Sequence, residues 1–233
     1  MATRAVRHNR PVVDLQLVIF DCDGVLVDSE VISNELLARM LTAAGLATTL
    51  EEARRSYQGL LLSEVLSSAE SKLGRSLPTG WLTRYEQERE QALRRELAPV
   101  VGARRAVERI RSKGLETCVA SQGKLEKTRL SLELTGLRAL FPDEVLFSAW
   151  SVARGKPFPD LFLHAATTMG VAPERCVVVE DSPSGVTAAS AAGMRAVGYA
   201  ADSDETALRH AGAEVFHRLD ELPAVLGLGQ RAE

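Results

Sequence analysis

The acids Asp21, Asp23, Glu180 and Asp181, the hydroxyl of Ser121 and the ammonium of Lys156 have types and positions that suit a single reaction. Carboxylates gathered at one crevice repel one another unless a cation joins them. A small cluster of hard oxygen ligands suits Mg2+, which keeps several waters and also binds phosphate oxygens. Asp21, Asp23, Glu180 and Asp181 are therefore the candidate metal ligands. Asp21 and Asp23 stand two apart at the end of an apolar run, so both can face one crevice while Cys22 points away. Asp21 comes first and is the candidate nucleophile, because a carboxylate can attack phosphorus to give an acyl phosphate. Asp23 is then placed to protonate a leaving oxygen and later to activate water. Ser121 and the backbone N–H groups of the Gln122-Gly123 turn can donate to phosphoryl oxygens, and Lys156 supplies a compact positive charge.

Groups so far apart in sequence meet only if the fold delivers them. Residues 15–20 form a short apolar run that stops abruptly at Asp21, which reads as a buried strand with polar residues at its carboxyl end. Similar runs at 115–120, 144–148, 175–179 and 194–199 read as strands, with 215–216 as a last edge strand. Helical stripes lie between them, around 106–110, 125–137, 161–169 and 185–192. Strands apolar on both faces, joined by helices and short turns, predict an α/β fold: a Rossmann-like, mostly parallel sheet with helices on both faces. Ligands of such sheets bind beyond the carboxyl ends of the strands. Asp21/Asp23, Ser121, Glu180/Asp181 and the loop with Lys156 all follow strands, and their convergence is the central expectation.

Residues 30–97 carry helical spacing only, at 36–41, 61–66 and 81–97. They read as an inserted all-helical subdomain. The expected organisation is a flexible tail over 1–13, a core made of 14–29 and 98–233, and the helical insert over 30–97.

Several residues have plainer readings. Asp28 is expected to brace the first loop. Ser182 and Pro183 read as a helix N-cap and first helical residue. Asp160 is expected to cap the next helix or to hold Lys156. His164 reads as a packed histidine, and 86–95 as a solvated helix face. Gly102 and Gly155 are expected to serve backbone geometry.

Composition narrows the class. The 233 residues are 45% hydrophobic and 25% charged, with 28 basic and 31 acidic residues and a formal net charge of -3. That balance gives no general attraction for nucleic acid or anionic membrane. No apolar run approaches the ~20 residues of a membrane span, and the Arg-containing start has no apolar stretch of signal-peptide length behind it. Cys22, Cys118 and Cys176 are odd in number and far apart, which reads as reduced core thiols in a cytoplasmic protein.

Four motifs in order then carry a resemblance. Asp21-Cys22-Asp23-Gly24-Val25-Leu26-Val27-Asp28-Ser29, Val119-Ala120-Ser121, Gly155-Lys156-Pro157-Phe158-Pro159-Asp160 and Glu180-Asp181-Ser182-Pro183-Ser184-Gly185 resemble those of the haloacid dehalogenase-like hydrolases, over roughly residues 15–225. The resemblance implies a nucleophile at Asp21 and a general acid/base at Asp23. It implies Mg2+ held by the Asp21 side chain, the Asp23 carbonyl and Asp181, with Glu180 nearby or acting through water. The helical insert is similar to the family's cap, which closes over substrate.

Asp23 argues against the dehalogenases and phosphonate-cleaving members, which lack the second acid. Phe20 to Gly24, the stretch 27–32 and Leu146-Phe147-Ser148 resemble the sugar-phosphatase branch, of the 6-phosphogluconate phosphatase type. That implies Mg2+-dependent hydrolysis of a small sugar or sugar-acid phosphate, by a monomer or weak homodimer. The alternatives are a phosphosugar mutase of the beta-phosphoglucomutase kind and a non-catalytic phosphometabolite-binding protein. Ser33 and Leu62 stand where such a mutase carries a histidine and an arginine. The candidate substrate contacts are Gln58, Gly59, Ser121, Gln122 and Lys156, together with Arg54 and Lys72 if either reaches inward.

Overall fold

The computed structural model describes residues 14–57, 60 and 62–228. The expected tail over 1–13 and the candidate contacts Gln58 and Gly59 lie outside the described residues.

Six strands form one sheet: β1 (Leu17–Phe20), β2 (Glu116–Ser121), β3 (Leu146–Ser148), β4 (Cys176–Glu180), β5 (Arg195–Tyr199) and β6 (Glu214–Phe216). Their order is β3-β2-β1-β4-β5-β6, and every neighbouring pair is parallel. β1 is central, and each of its four side chains is fully buried. Alternation along the strand divides them between two cores. Val18 and Phe20 pack on one face with Ile110, Leu132 and Phe141. Leu17 and Ile19 pack on the other with Leu161, Phe162 and Val186. Burial of such side chains contributes roughly 1.5–3 kcal/mol each, which fixes both faces of a strand only four residues long.

The helices α5 (Ala103–Arg111), α6 (Leu125–Leu134), α7 (Asp160–Thr168), α8 (Pro183–Ala191), α9 (Glu205–Ala211) and α10 (Leu222–Val225) follow the βα pattern. Before them come α1 (Glu30–Ala43), α2 (Leu50–Tyr57), α3 (Leu62–Leu73) and α4 (Trp81–Glu96), inserted between β1 and α5. These four share a core of their own around Leu37, Leu41, Val65 and Trp81, with Trp81 stacked on Tyr85 at 5.7 Å.

Apolar spacing is silent on α2 and α9, which are short and largely polar. Their signal lies in their starts. Thr49 and Glu52 form a reciprocal capping box at α2, with Thr49 N–H donating to Glu52 at 2.8 Å and Glu52 N–H to Thr49 Oγ1 at 3.2 Å. At α9 the Asp204 carboxylate accepts from the N–H groups of Thr206 and Ala207. Cys22, Cys118 and Cys176 are buried and unbridged. Among the described residues no helix is long and apolar enough to cross a membrane.

Candidate active site

The register of the sheet brings the strand ends together. Phe20 lies beside Val119 of β2 and Val179 of β4, so Asp21 and Glu180 emerge side by side. The Asp21 N–H donates to the Val179 carbonyl at 2.9 Å and extends the ladder by one residue. The chain then turns back: Leu26 and Val27 N–H groups bond the Cys22 carbonyl, and Gly24 N–H bonds that of Val27. This turn buries Cys22, Val25, Leu26 and Val27 and leaves Asp21 and Asp23 facing a cavity. Gly24 has φ of 75°, and a Cβ there would fall 2.2 Å from Asp181 Oδ2. Only glycine lets the turn approach that carboxylate.

Lys156 is buried at the floor of the site. Its ammonium donates to Asp21 and, at 2.5 Å, to Glu180 Oε1. Glu180 Oε2 accepts from the N–H groups of Asp181 and Ser182 at 3.1 and 3.0 Å and from Ser182 Oγ at 2.8 Å. Both Glu180 oxygens are thus engaged, and its carboxylate serves as a bracket for Lys156. Ser182 is the N-cap of α8, accepting from Gly185 N–H at 3.1 Å, with Pro183 following it.

The charges on this floor are unequal. Asp21, Glu180 and Asp181 meet the single ammonium of Lys156. Burial pushes the Asp21 carboxyl up to about 7 despite Lys156, with Glu180 and Asp23 adding to the rise. Burial also holds Asp181 well above the usual carboxylate range, reinforced by Glu180, Glu30 and Asp21. Burial opposes the charge on Lys156, but Asp21 and Glu180 outweigh it and raise its pKa. Among the described residues no three acidic, imidazole or thiol side chains form a ready-made metal cage. What the floor offers is two under-compensated carboxylates, Asp21 and Asp181.

Asp23 faces a different partner. Burial would raise its carboxyl, but an ion pair with Lys127 and a hydrogen bond from Ser29 outweigh this and hold it below the usual range, with Arg89 adding to the fall. Sequence reasoning missed Lys127, whose only signal is its place on the first turn of α6, just after the Ser121-Gln122-Gly123 turn. The bracing expected of Asp28 falls to its neighbour. Asp28 is exposed and contributes its N–H to the Ala98 carbonyl, whereas Ser29 is buried and holds Asp23.

Ser121 is fully buried at the end of β2, its Oγ accepting from Gly123 N–H at 3.1 Å. The Gln122 side chain clamps the lysine loop: Oε1 accepts from Lys156 N–H at 3.0 Å, and Nε2 donates to the Lys156 carbonyl. Gly155 permits this, since a Cβ there would fall 2.7 Å from Gln122 Oε1. Asp160 neither caps α7 nor touches Lys156; it is the first helical residue and pairs with Arg154 through both oxygens.

The cavity holds about 530 Å³ and is closed on its far side by α1, α4 and the start of α3. Neither Arg54 nor Lys72 lines it. Lys72 instead lies over the Tyr57 ring and donates to its hydroxyl at 3.3 Å. The charged stretch 86–95 is not simply a solvated face, because Glu86, Arg89, Glu90 and Arg94 line the cavity. The face of α4 that turns inward depends on its packing against α1 and α6, which periodicity alone does not specify. His164 is exposed as a residue, and the packing expected of it is the edge-on contact of its ring with Phe147 at 5.5 Å.

Comparison with known proteins places the chain in a family. Residues 15–193 match the haloacid dehalogenase-like hydrolase family. A 6-phosphogluconate phosphatase of Escherichia coli (strain K12) is 32% identical over 210 residues, covering 90% of this chain and 93% of that protein. Hexitol phosphatase A of the same organism is 30% identical over 204 residues, covering 88% of this chain and 91% of that protein. The crystal structure of a conserved haloacid dehalogenase-like protein from Agrobacterium tumefaciens superposes with a TM-score of 0.81 at 35% identity, over 92% of this chain and 98% of that one.

Proposed function

This chain belongs to the haloacid dehalogenase-like hydrolases and is a phosphoric monoester hydrolase, and we propose that it hydrolyses a small phosphorylated sugar or sugar acid through an aspartyl-phosphate on Asp21. The observation that carries the reading is the pairing of Asp21 with the buried Lys156 at the floor of the cavity. A nucleophilic carboxylate must be aimed, and the charge on the phosphoryl oxygens must be met by a fixed cation; this pair supplies both.

In the first step an Asp21 oxygen bonds to phosphorus as the ester P–O bond breaks, and the leaving oxygen takes a proton from Asp23. In the second, water bonds to phosphorus and gives a proton to Asp23, while the bond between Asp21 and phosphorus breaks and frees phosphate. Asp23 starts ionised, held so by Lys127 and Ser29. An arriving phosphate competes for the Lys127 ammonium. Once Lys127 is drawn off, burial weighs more and raises Asp23 towards the protonated form that the first step needs.

The family generally uses Mg2+, and the donor set here fits it. Asp21 and Asp181 are buried oxygen ligands short of positive charge, and the Asp23 carbonyl is a third hard oxygen. Bound by these groups, Mg2+ supplies charge that favours ionised Asp21 and offsets the phosphoryl oxygens. Glu180 is left as the bracket that aims Lys156.

A phosphosugar mutase would return the phosphoryl group to a second sugar oxygen. Ser33, Leu60 and Leu62 line the cavity on the helical side, and Ser33 and Leu62 stand where such a mutase carries its histidine and arginine, which favours transfer to water. The test is phosphate release from a panel of sugar phosphates, sugar-acid phosphates, nucleotides and p-nitrophenyl phosphate, with Mg2+. Release peaking on a hexose or sugar-acid phosphate is expected. Efficient conversion of beta-glucose 1-phosphate to glucose 6-phosphate with almost no free phosphate would overturn it, and no hydrolysis of any ester would favour a binding protein.

A further inference from the structure

We propose that Arg89 recognises a second anionic group, a carboxylate, on the carbon skeleton of the phosphate ester. This rests on the phosphatase reading and names the class of ester within it. The cations lining the cavity among the described residues are Arg89, Arg94, Lys124, Lys127 and Lys156. Four of them are already matched. Lys156 holds Asp21 and Glu180, Lys127 holds Asp23, Lys124 lies 3.0 Å from Glu86, and Arg94 lies 2.8 Å from Glu90.

Arg89 forms no ion pair among the described residues. Its guanidinium lies 5.4 Å from the centre of the Tyr85 ring, a contact that restrains the side chain. Tyr85 is itself rigidly mounted, buried, stacked on Trp81, and donating its hydroxyl to the Ser33 carbonyl at 3.3 Å. A half-buried guanidinium with no carboxylate in direct contact can take one, which it can grip through two parallel N–H groups.

The acids lining the cavity from α1 and α4 do not pair with it. Glu86 and Glu90 are neutralised by Lys124 and Arg94. Glu30 accepts from Asn34 at 3.1 Å, and burial raises its carboxyl. The cavity therefore has the paired ammoniums of Lys156 and Lys127 beside the nucleophile, where the phosphate would bind, and the guanidinium of Arg89, which has no ion pair among the described residues, on the α4 wall. A phosphorylated sugar acid has a matching anion at each end, and a phosphorylated polyol has only one.

The test compares 6-phosphogluconate with sorbitol 6-phosphate, which differ only in the carboxylate. The ratio of kcat/KM, acid to polyol, should fall at least tenfold in Arg89→Ala and in Arg89→Met, which keeps a stem over Tyr85. Calorimetric titration of both esters into Asp21→Asn protein, with and without the Arg89 substitutions, should show the same fall in the ratio of affinities. A change below tenfold in that affinity ratio overturns the proposal. Failure of the phosphatase reading is separate: the wild type would then hydrolyse neither ester nor p-nitrophenyl phosphate, while the titrations would still decide the role of Arg89.

Discussion

Replacing Gly185 by alanine should destabilise the protein, although the position is helical. Gly185 is the third residue of α8, and in an open helix alanine is favoured over glycine by about 1 kcal/mol. Here a Cβ would fall 1.9 Å from both Cδ and Oε1 of Glu180 and 2.4 Å from Oε2. Glu180 has little room to yield. It is 1% exposed and held by Lys156 at 2.5 Å, by two backbone N–H groups and by Ser182 Oγ. Forcing extra bulk into such packing costs about 1–3 kcal/mol. Loosening the buried Lys156–Glu180 pair adds part of the ~3–5 kcal/mol typical of breaking one. Against the helix gain, the net loss is about 2–5 kcal/mol, which for a chain of this size lowers the thermal midpoint by roughly 5–15 °C. Circular dichroism melts of Gly185→Ala and wild type measure this, and turnover should fall with it as Lys156 loses its bracket. A midpoint equal to or above that of the wild type would show that propensity decides the site and that Glu180 is not rigidly held.

Asp21→Asn should abolish turnover with the fold intact, because an amide cannot form the acyl phosphate; substantial hydrolysis by pure, sequence-verified variant refutes the nucleophile assignment. EDTA should remove activity and Mg2+ restore it, with Ca2+ serving poorly; full activity in metal-stripped protein refutes the cation requirement. The folded pKa of Asp21, about 7, lies above its ordinary value, so its contribution to stability is full at low pH and is lost as pH rises through the folded value. In EDTA the thermal midpoint should therefore fall between about pH 4 and pH 7, with a shallower slope in Asp21→Asn; a midpoint that rises across that window contradicts the crowded floor. Asp23 has the opposite sign, so Lys127→Met should cost about 1–3 kcal/mol at pH 7 in urea denaturation, and less as pH falls towards 3. Equal stability of variant and wild type at pH 7 would remove Lys127 from the site.

β1 to β5 were legible because they lie in apolar runs bounded by turn residues, and because strands apolar on both faces belong inside a parallel sheet; β6 was marked only by Val215 and Phe216 at the edge. The meeting of their ends was legible too, since parallel strands present all their carboxyl ends at one edge. α2 and α9 escaped because they bury few side chains; only their capping residues mark them. Arg89 was hidden for a different reason. A helix as charged as α4 offers several arginines, and which one turns inward depends on its neighbours.

Sequence alone thus determined which chemical groups exist and at which strand ends they emerge, because covalent order and the alternation of buried side chains are local properties. It could not decide which charge answers which. Lys127 is 104 residues from Asp23, and Lys156 is 135 from Asp21. Asp28 and Ser29 are adjacent, yet only Ser29 reaches the acid. Glu180 and Asp181 are adjacent acids, yet one is consumed as a bracket and the other left short of charge. Ion pairing and pKa depend on ångström-scale separation and on burial, and both exist only once the sheet and its covering helices have closed around the site.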